Sequence, residues 1–181
     1  MKQTLRITKI AALLALALAS TTTIYAGGLK PAATQTIQNF KQADPGLTRF
    51  FANSAGYAVL PSVGEVGLII GGQRGDGLVY HKGSVIGKVT MTEISIGAQA
   101  GGGKFSEVIF FETNAALESF KTSEYKMSAA AKASVVASGV AANAKYEQGV
   151  AVFTLPKSGA MVAAAVGGQK FKFEPIHSPI Q

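Results

Sequence analysis

The stretch Ser54–Tyr80, SAGYAVLPSVGEVGLIIGGQRGDGLVY, constrains the fold more than any other part of the chain. Gly56–Leu60 is a short apolar run that stops at Pro61. Pro61-Ser62-Val63-Gly64 has the composition of a turn, because proline fixes φ and glycine accepts positive φ. Glu65–Ile70 then runs apolar into Gly71-Gly72, and Asp76-Gly77 gives a second tight-turn signal before Leu78-Val79-Tyr80. The stretch reads as strand, turn, strand, turn, strand. No segment in it is long enough or suitably periodic for a helix.

The same stretch carries a resemblance. Gly56-Tyr57-Ala58-Val59-Leu60-Pro61, then Gly67, Gly71-Gly72, Gly75 and Gly77, resembles the opening block of the SYLF, or Ysc84-type, domain family. The similarity continues through Ile94–Gln99, Phe110–Phe120 and Gly149–Gly167, so it extends from Leu47 to Phe173. What the resemblance implies is a non-catalytic, lipid-binding domain. Eukaryotic members also bind phosphoinositides and actin, and actin is not carried over to an exported chain.

Export is expected from the first 26 residues. Lys2, Arg6 and Lys9 precede an uninterrupted apolar run from Ile10 to Ala19, and polar Ser20–Thr23 lead to Ile24-Tyr25-Ala26. This is the order of a secretory signal peptide, with cleavage expected after Ala26. The apolar run is shorter than the roughly 20 residues that a spanning helix requires. Residues 27–181 then form a single domain with its core over 44–174 and a mobile tail over 175–181. The periplasm is the expected compartment.

Removing three basic residues changes the charge balance. The chain has 17 Lys and Arg against 10 Asp and Glu, so the mature product carries 14 − 10, or +4. That is too little to indicate nucleic acid by itself, but it suits an anionic lipid surface, where each Lys or Arg contributes about 1 kcal/mol. There is no cysteine. The domain must be held by its own core rather than by disulfides. Many bacterial members of the family look like lipoproteins; lacking the lipidation cysteine, this chain departs from that pattern and is not expected to be one.

The remaining elements follow in order. Ala33, Thr36, Ile37, Phe40 and Ala43 keep helical spacing, giving an amphipathic lead-in that either covers a sheet or lies in a bilayer interface. Asp44-Pro45 has the form of an N-cap with proline at the first helical position, opening a second short helix with Leu47, Phe50 and Phe51 on one side. His81-Lys82-Gly83-Ser84 reads as a hairpin tip. Val89 and Met91 have opposite parity to Ile94, Ile96 and Ala98, which suggests a bulge near Thr92-Glu93. Gly101–Gly103 breaks that strand, Glu107–Phe111 is another, and Glu112–Thr122 is a helix capped by Thr113. Met127–Ala144 reads as strand, chiefly because the resemblance implies it, with helix the alternative. Gly149–Phe153 and Gly167–Gln169 echo the opening block, as related geometry or by chance, and Lys170–Glu174 alternates as a strand with one wet face.

Recognisable catalytic chemistry is missing. Gly71–Gly77 invites a phosphate-loop reading, but a strand follows it where a helix N-terminus is required. Asp76, His81 and Ser84 are near in sequence, which does not make a triad. His81 and His177 lack metal-ligand spacing, and the carboxylates offer no pair for acid–base work.

The strand signals and, more heavily, the resemblance imply an α+β fold: a strongly bent, mainly antiparallel β-sheet or partial barrel with an N-terminal helical lead-in and one mid-chain helix. The expected function is non-enzymatic, without cofactor or metal: peripheral docking on anionic phospholipid head groups, with no nucleic-acid partner. Lys41, Arg49, Arg74, Lys82 and Lys88 are the candidate head-group contacts, with Phe50 and Phe51 as apolar inserts or core. Arg74, Lys82 and Lys88 are expected to converge at one rim. Two alternatives stand beside this: an envelope protein that binds a protein partner through a sheet edge, and a hydrolase with an unrecognised site.

Overall fold

The computed structural model describes residues 28–66, 71–95, 104–122, 124–128, 131–157, 166 and 168–176. It is an α+β fold. Helix α1 (28–43) leads through a 3-10 turn (Pro45–Leu47) into α2 (Thr48–Asn53). The strands are β1 (Gly56–Val66), β2 (Gly71–His81), β3 (Ser84–Ser95), β4 (Phe105–Phe111), β5 (Tyr125–Lys126), β6 (Ala133–Val135), β7 (Val150–Pro156) and β8 (Lys170–Pro175). Helices α3 (Asn114–Phe120) and α4 (Val140–Asn143) are short. One eight-stranded sheet has the order β5-β8-β3-β2-β1-β4-β7-β6. All pairings are antiparallel except β6 with β7.

The sheet curls into a half-barrel, and two contacts show how far. β8 and β4 stand four strand spacings apart, about 19 Å on a flat sheet. Yet the Phe120 ring centroid lies 4.7 Å from Phe111 on β4 and 5.2 Å from Phe171 on β8. Gln169, next to β8, bonds to Glu107 on β4 at 3.1 Å. Only a strongly curved sheet brings those strands together. The concave side holds one core, built from Ala58, Leu60, Val79, Met91, Ile109, Val152 and their neighbours, with Leu117 and Phe120 of α3 filling it.

The convex side carries a second core under the N-terminal helices. Ala33 and Phe40 of α1, Leu47 and Phe50 pack on Val59, Leu78, Val108, Phe110 and Phe153. The amphipathic stripe of α1 thus covers the sheet, as one of its two readings expected. Asp44 caps the 3-10 turn through Gly46 N–H at 3.0 Å, and its other oxygen accepts from Ala141 N–H at 2.7 Å. Burial pushes this carboxyl up, but the backbone N–H groups of Ala141, Gly46, Gly139 and Val140 outweigh it and hold it below the ordinary range. One side chain therefore ties the lead-in to α4, about a hundred residues away. Thr113 caps α3 as expected, accepting from Ala116 N–H at 3.2 Å.

The expected turns at Pro61–Gly64 and Asp76-Gly77 are not turns. β1 and β2 run straight through them as 11-residue strands. Pro61 sits where the β1 register slips against both neighbours, between Val59 and Ser62 on one side and Leu60 and Val63 on the other. A proline that cannot donate is tolerated at such a bulge. Gly77 is needed for close approach rather than for a turn: a Cβ there would stand 2.3 Å from the Val59 carbonyl oxygen. The real β1–β2 connection, 67–70, lies outside the described residues.

Other expectations are also corrected. The β2–β3 register is regular past Thr92-Glu93; its irregularity falls between Val79 and Tyr80, where β3 inserts Ile86. Met127–Ala144 is neither a strand nor a helix throughout: it holds the three-residue β6 and the four-residue α4. The echo of the first block by the last does not give matching hairpins, because β8 pairs with β3 rather than β7. β8 extends through Pro175, paired with Gly87. The signal segment, Gly101–Gly103 and the tail beyond 176 lie outside the described residues.

Candidate functional site

Strand parity and register set out the basic side chains. Phe171 is buried inside the curl, so Lys170 points outward; the same alternation turns Lys126 away from Tyr125, and Lys104 away from Phe105. Across the sheet Lys126 pairs with Lys170, Lys170 with Thr92, Thr92 with Arg74 and Arg74 with Gly64. The row continues, since a Cβ on Gly64 would touch Lys104 Cγ at 3.3 Å, and Lys157 N–H donates to the Lys104 carbonyl at 2.8 Å. Lys126, Lys170, Arg74, Lys104 and Lys157 therefore form one cross-strand row of cations on the outer surface, interrupted only by Thr92 and Gly64. All five are exposed.

The row is costly to the fold. Like charges directly opposite on adjacent strands are destabilising, and Lys126 faces Lys170 in this way. Acidic side chains occupy the next rows instead. Asp76 accepts from Thr90 Oγ1 at 2.8 Å and lies 3.4 Å from Arg74 Nη2, while Glu174 pairs with Lys172 at 2.9 Å. Arg74, Thr90, Thr92, Glu124, Lys170 and Lys172 line a shallow depression beside the row.

Of the residues nominated from sequence, Arg74 alone belongs to this row. Lys88 is four strand positions from Thr92, about 13 Å along β3, and Lys82 caps the far end of the β2–β3 hairpin, about 26 Å from Arg74. Lys82 and Gly83 do form the expected hairpin tip, with φ of 48° and 77°. The three do not converge at one rim. Lys41 lies over the Phe51 ring, its Nζ 5.0 Å from the centroid. Arg49 donates to the carbonyls of Ala141 and Ala142 and stacks on Phe50, fastening α2 to α4. Phe50 is buried among Phe110, Tyr146 and Phe153; Phe51 is half-buried against Tyr57 and Phe110. Both serve the convex core. His81 Nδ1 lies 2.9 Å from the Ala55 carbonyl oxygen, so the ring is held against the segment before β1.

A second group, missed in the sequence, lies inside the curl. Glu107, Thr154 and Gln169 are fully buried, and Glu93 is half-buried. Gln169 Nε2 donates to Glu107 Oε2 at 3.1 Å. Thr154 is the register partner of Glu107 on β7. Among the described residues, Glu107 Oε1, Glu93 Oε2, Gln169 Oε1 and Thr154 Oγ1 have no hydrogen-bond partner. Burial pushes Glu107 up to about 7; the Gln169 bond lowers it and the nearby Glu93 charge raises it again. Burial raises Glu93 as well, opposed by a bond from Gln169. The carboxylates that looked scattered are therefore brought together by the curl.

Neither family models nor curated proteins give a match to this chain. Among the described residues no His, Cys, Asp and Glu side chains gather in threes to hold a metal, and no helix is long and apolar enough to cross a membrane.

Proposed function

We propose that this chain is an exported, non-enzymatic member of the SYLF class that docks on anionic phospholipid head groups through the Lys126–Lys170–Arg74–Lys104–Lys157 row. The row is the single observation that carries this reading. A sheet that sets Lys126 opposite Lys170 and Lys104 beside Lys157 in one row accepts mutual repulsion, and an anionic surface relieves it. By sequence, the segments 67–70, 96–103 and 158–165 contain no charged residue, so they carry no charge that such a surface would repel. The edge-pairing alternative is less favoured: the edge strands β5 and β6 are two and three residues long, and short edges are how sheets avoid pairing with other chains.

Sedimentation with anionic vesicles tests the reading. The protein should bind, and salt should weaken the binding. Replacing Lys104, Lys157 and Lys170 with Gln should remove up to about 3 kcal/mol, around a hundredfold in affinity, at roughly 1 kcal/mol per basic residue. Replacing Lys82, Lys88 and Lys145 makes the same charge change away from the row and should matter far less. Equal losses would mean diffuse electrostatics and no row site. Failure of the unsubstituted protein to bind would remove the lipid reading.

A further inference from the structure

The polar group inside the curl is unlike the rest of that core, which is otherwise apolar. Buried polar atoms are paired in the great majority of cases, yet among the described residues four oxygens on three strands and the β8 lead-in are unpaired together. Two belong to neutral side chains, Thr154 and Gln169, each fully buried. The group is therefore more than a pair of acids. Its chemistry is one-sided: among the described residues no Lys, Arg or His hydrogen-bonds or pairs with either carboxylate.

We propose that Glu93, Glu107, Thr154 and Gln169 form an oxygen-lined site for a hard divalent cation, Ca²⁺ in the first instance. Calcium takes about 6–8 oxygen ligands from carboxylates, amide carbonyls, hydroxyls and water in flexible geometry. The unpaired atoms are of those kinds. The donor set contains neither nitrogen nor sulfur, which argues against zinc and copper. Magnesium requires nearly ideal octahedral geometry and sheds water reluctantly, a poorer match to ligands drawn from separate strands. The Gln169 amide holds Glu107 Oε2 and leaves Oε1 free, the kind of outer bond that orients a ligating carboxylate. Glu93, half-buried, gives the cluster a route to solvent. The site would fasten β3, β4, β7 and the β8 lead-in to one another across the hollow of the curl.

The test uses chelator-treated protein at pH 8, titrated with CaCl₂ and, separately, MgCl₂, by calorimetry and thermal unfolding. Calcium should bind saturably at one site. At a free concentration a hundred times its Kd it should raise Tm by roughly 5–10 °C, with magnesium giving less. Glu107→Gln keeps the side-chain shape and should weaken calcium binding at least tenfold; so should Glu93→Gln, which sits in a less buried position and decides the matter if the first variant does not fold. Absence of saturable binding would overturn the proposal, leaving water as the partner of these oxygens. Unchanged affinity in the folded variants would also overturn it, placing the ion on exposed carboxylates such as Asp76 or Glu174.

Discussion

Substituting Glu107 by Gln isolates the energetic consequence of burying a carboxylate inside the curl. Glu107 is fully buried and pushed up to about 7 from the ordinary 4.5. The folded state thus holds this proton more tightly than the unfolded chain does. The group's contribution to stability is full below pH 4.5, declines as pH rises toward 7, and is lost above that. The displacement corresponds to about 3 kcal/mol. The amide introduced by Glu107→Gln does not ionise, and its carbonyl can still accept from Gln169. Urea unfolding in EDTA, at pH 4 and at pH 8, measures the difference between variant and parent at each pH. That difference should move in favour of the variant by about 3 kcal/mol between the two. Comparing the two proteins cancels the titration of most other groups. An offset that is the same at both pH values would refute the reasoning, because it would mean that Glu107 ionises as readily in the folded state as in the unfolded chain.

Two further substitutions probe the frame. Asp44→Ala removes a cap and strands the Ala141 N–H, so urea unfolding should show a loss of about 2–3 kcal/mol; a loss below about 0.5 kcal/mol would be inconsistent with that double role. Gly77→Ala drives a Cβ against the Val59 carbonyl and the Leu60 Cα, backbone that cannot yield without parting β1 from β2, and should cost roughly 2–3 kcal/mol by thermal unfolding, whereas Gly28→Ala, with open space around it, should be tolerated.

The local signals in the sequence were reliable where a few neighbouring residues decide the outcome. The amphipathic spacing of α1, the Asp44 and Thr113 caps, the His81–Ser84 hairpin and the Lys170–Glu174 alternation each follow from periodicity or from a side chain reaching its own backbone. The α+β class with a bent sheet rested on these strand signals together with the family resemblance, which carried more of it. Turn composition misled at Pro61 and Asp76-Gly77, because proline and glycine serve bulges and close strand approach as readily as turns. The shift in parity near Glu93 was read as a bulge on the assumption that an inward position must be apolar; Glu93 lies on the inward side of an unbroken ladder.

Both candidate sites depend on which residues stand opposite one another, and this only the tertiary structure decided. Arg74, Lys104, Lys126, Lys157 and Lys170 are scattered along more than half of the chain and read singly as solvated charges; register alone makes them a row. Glu107 and Gln169 are 62 residues apart and meet only because the sheet curls. Alternation along a strand is written locally, in side chains with period two. Strand order, register and curvature are settled by packing summed over the whole sheet, and no single segment of the sequence contains that sum.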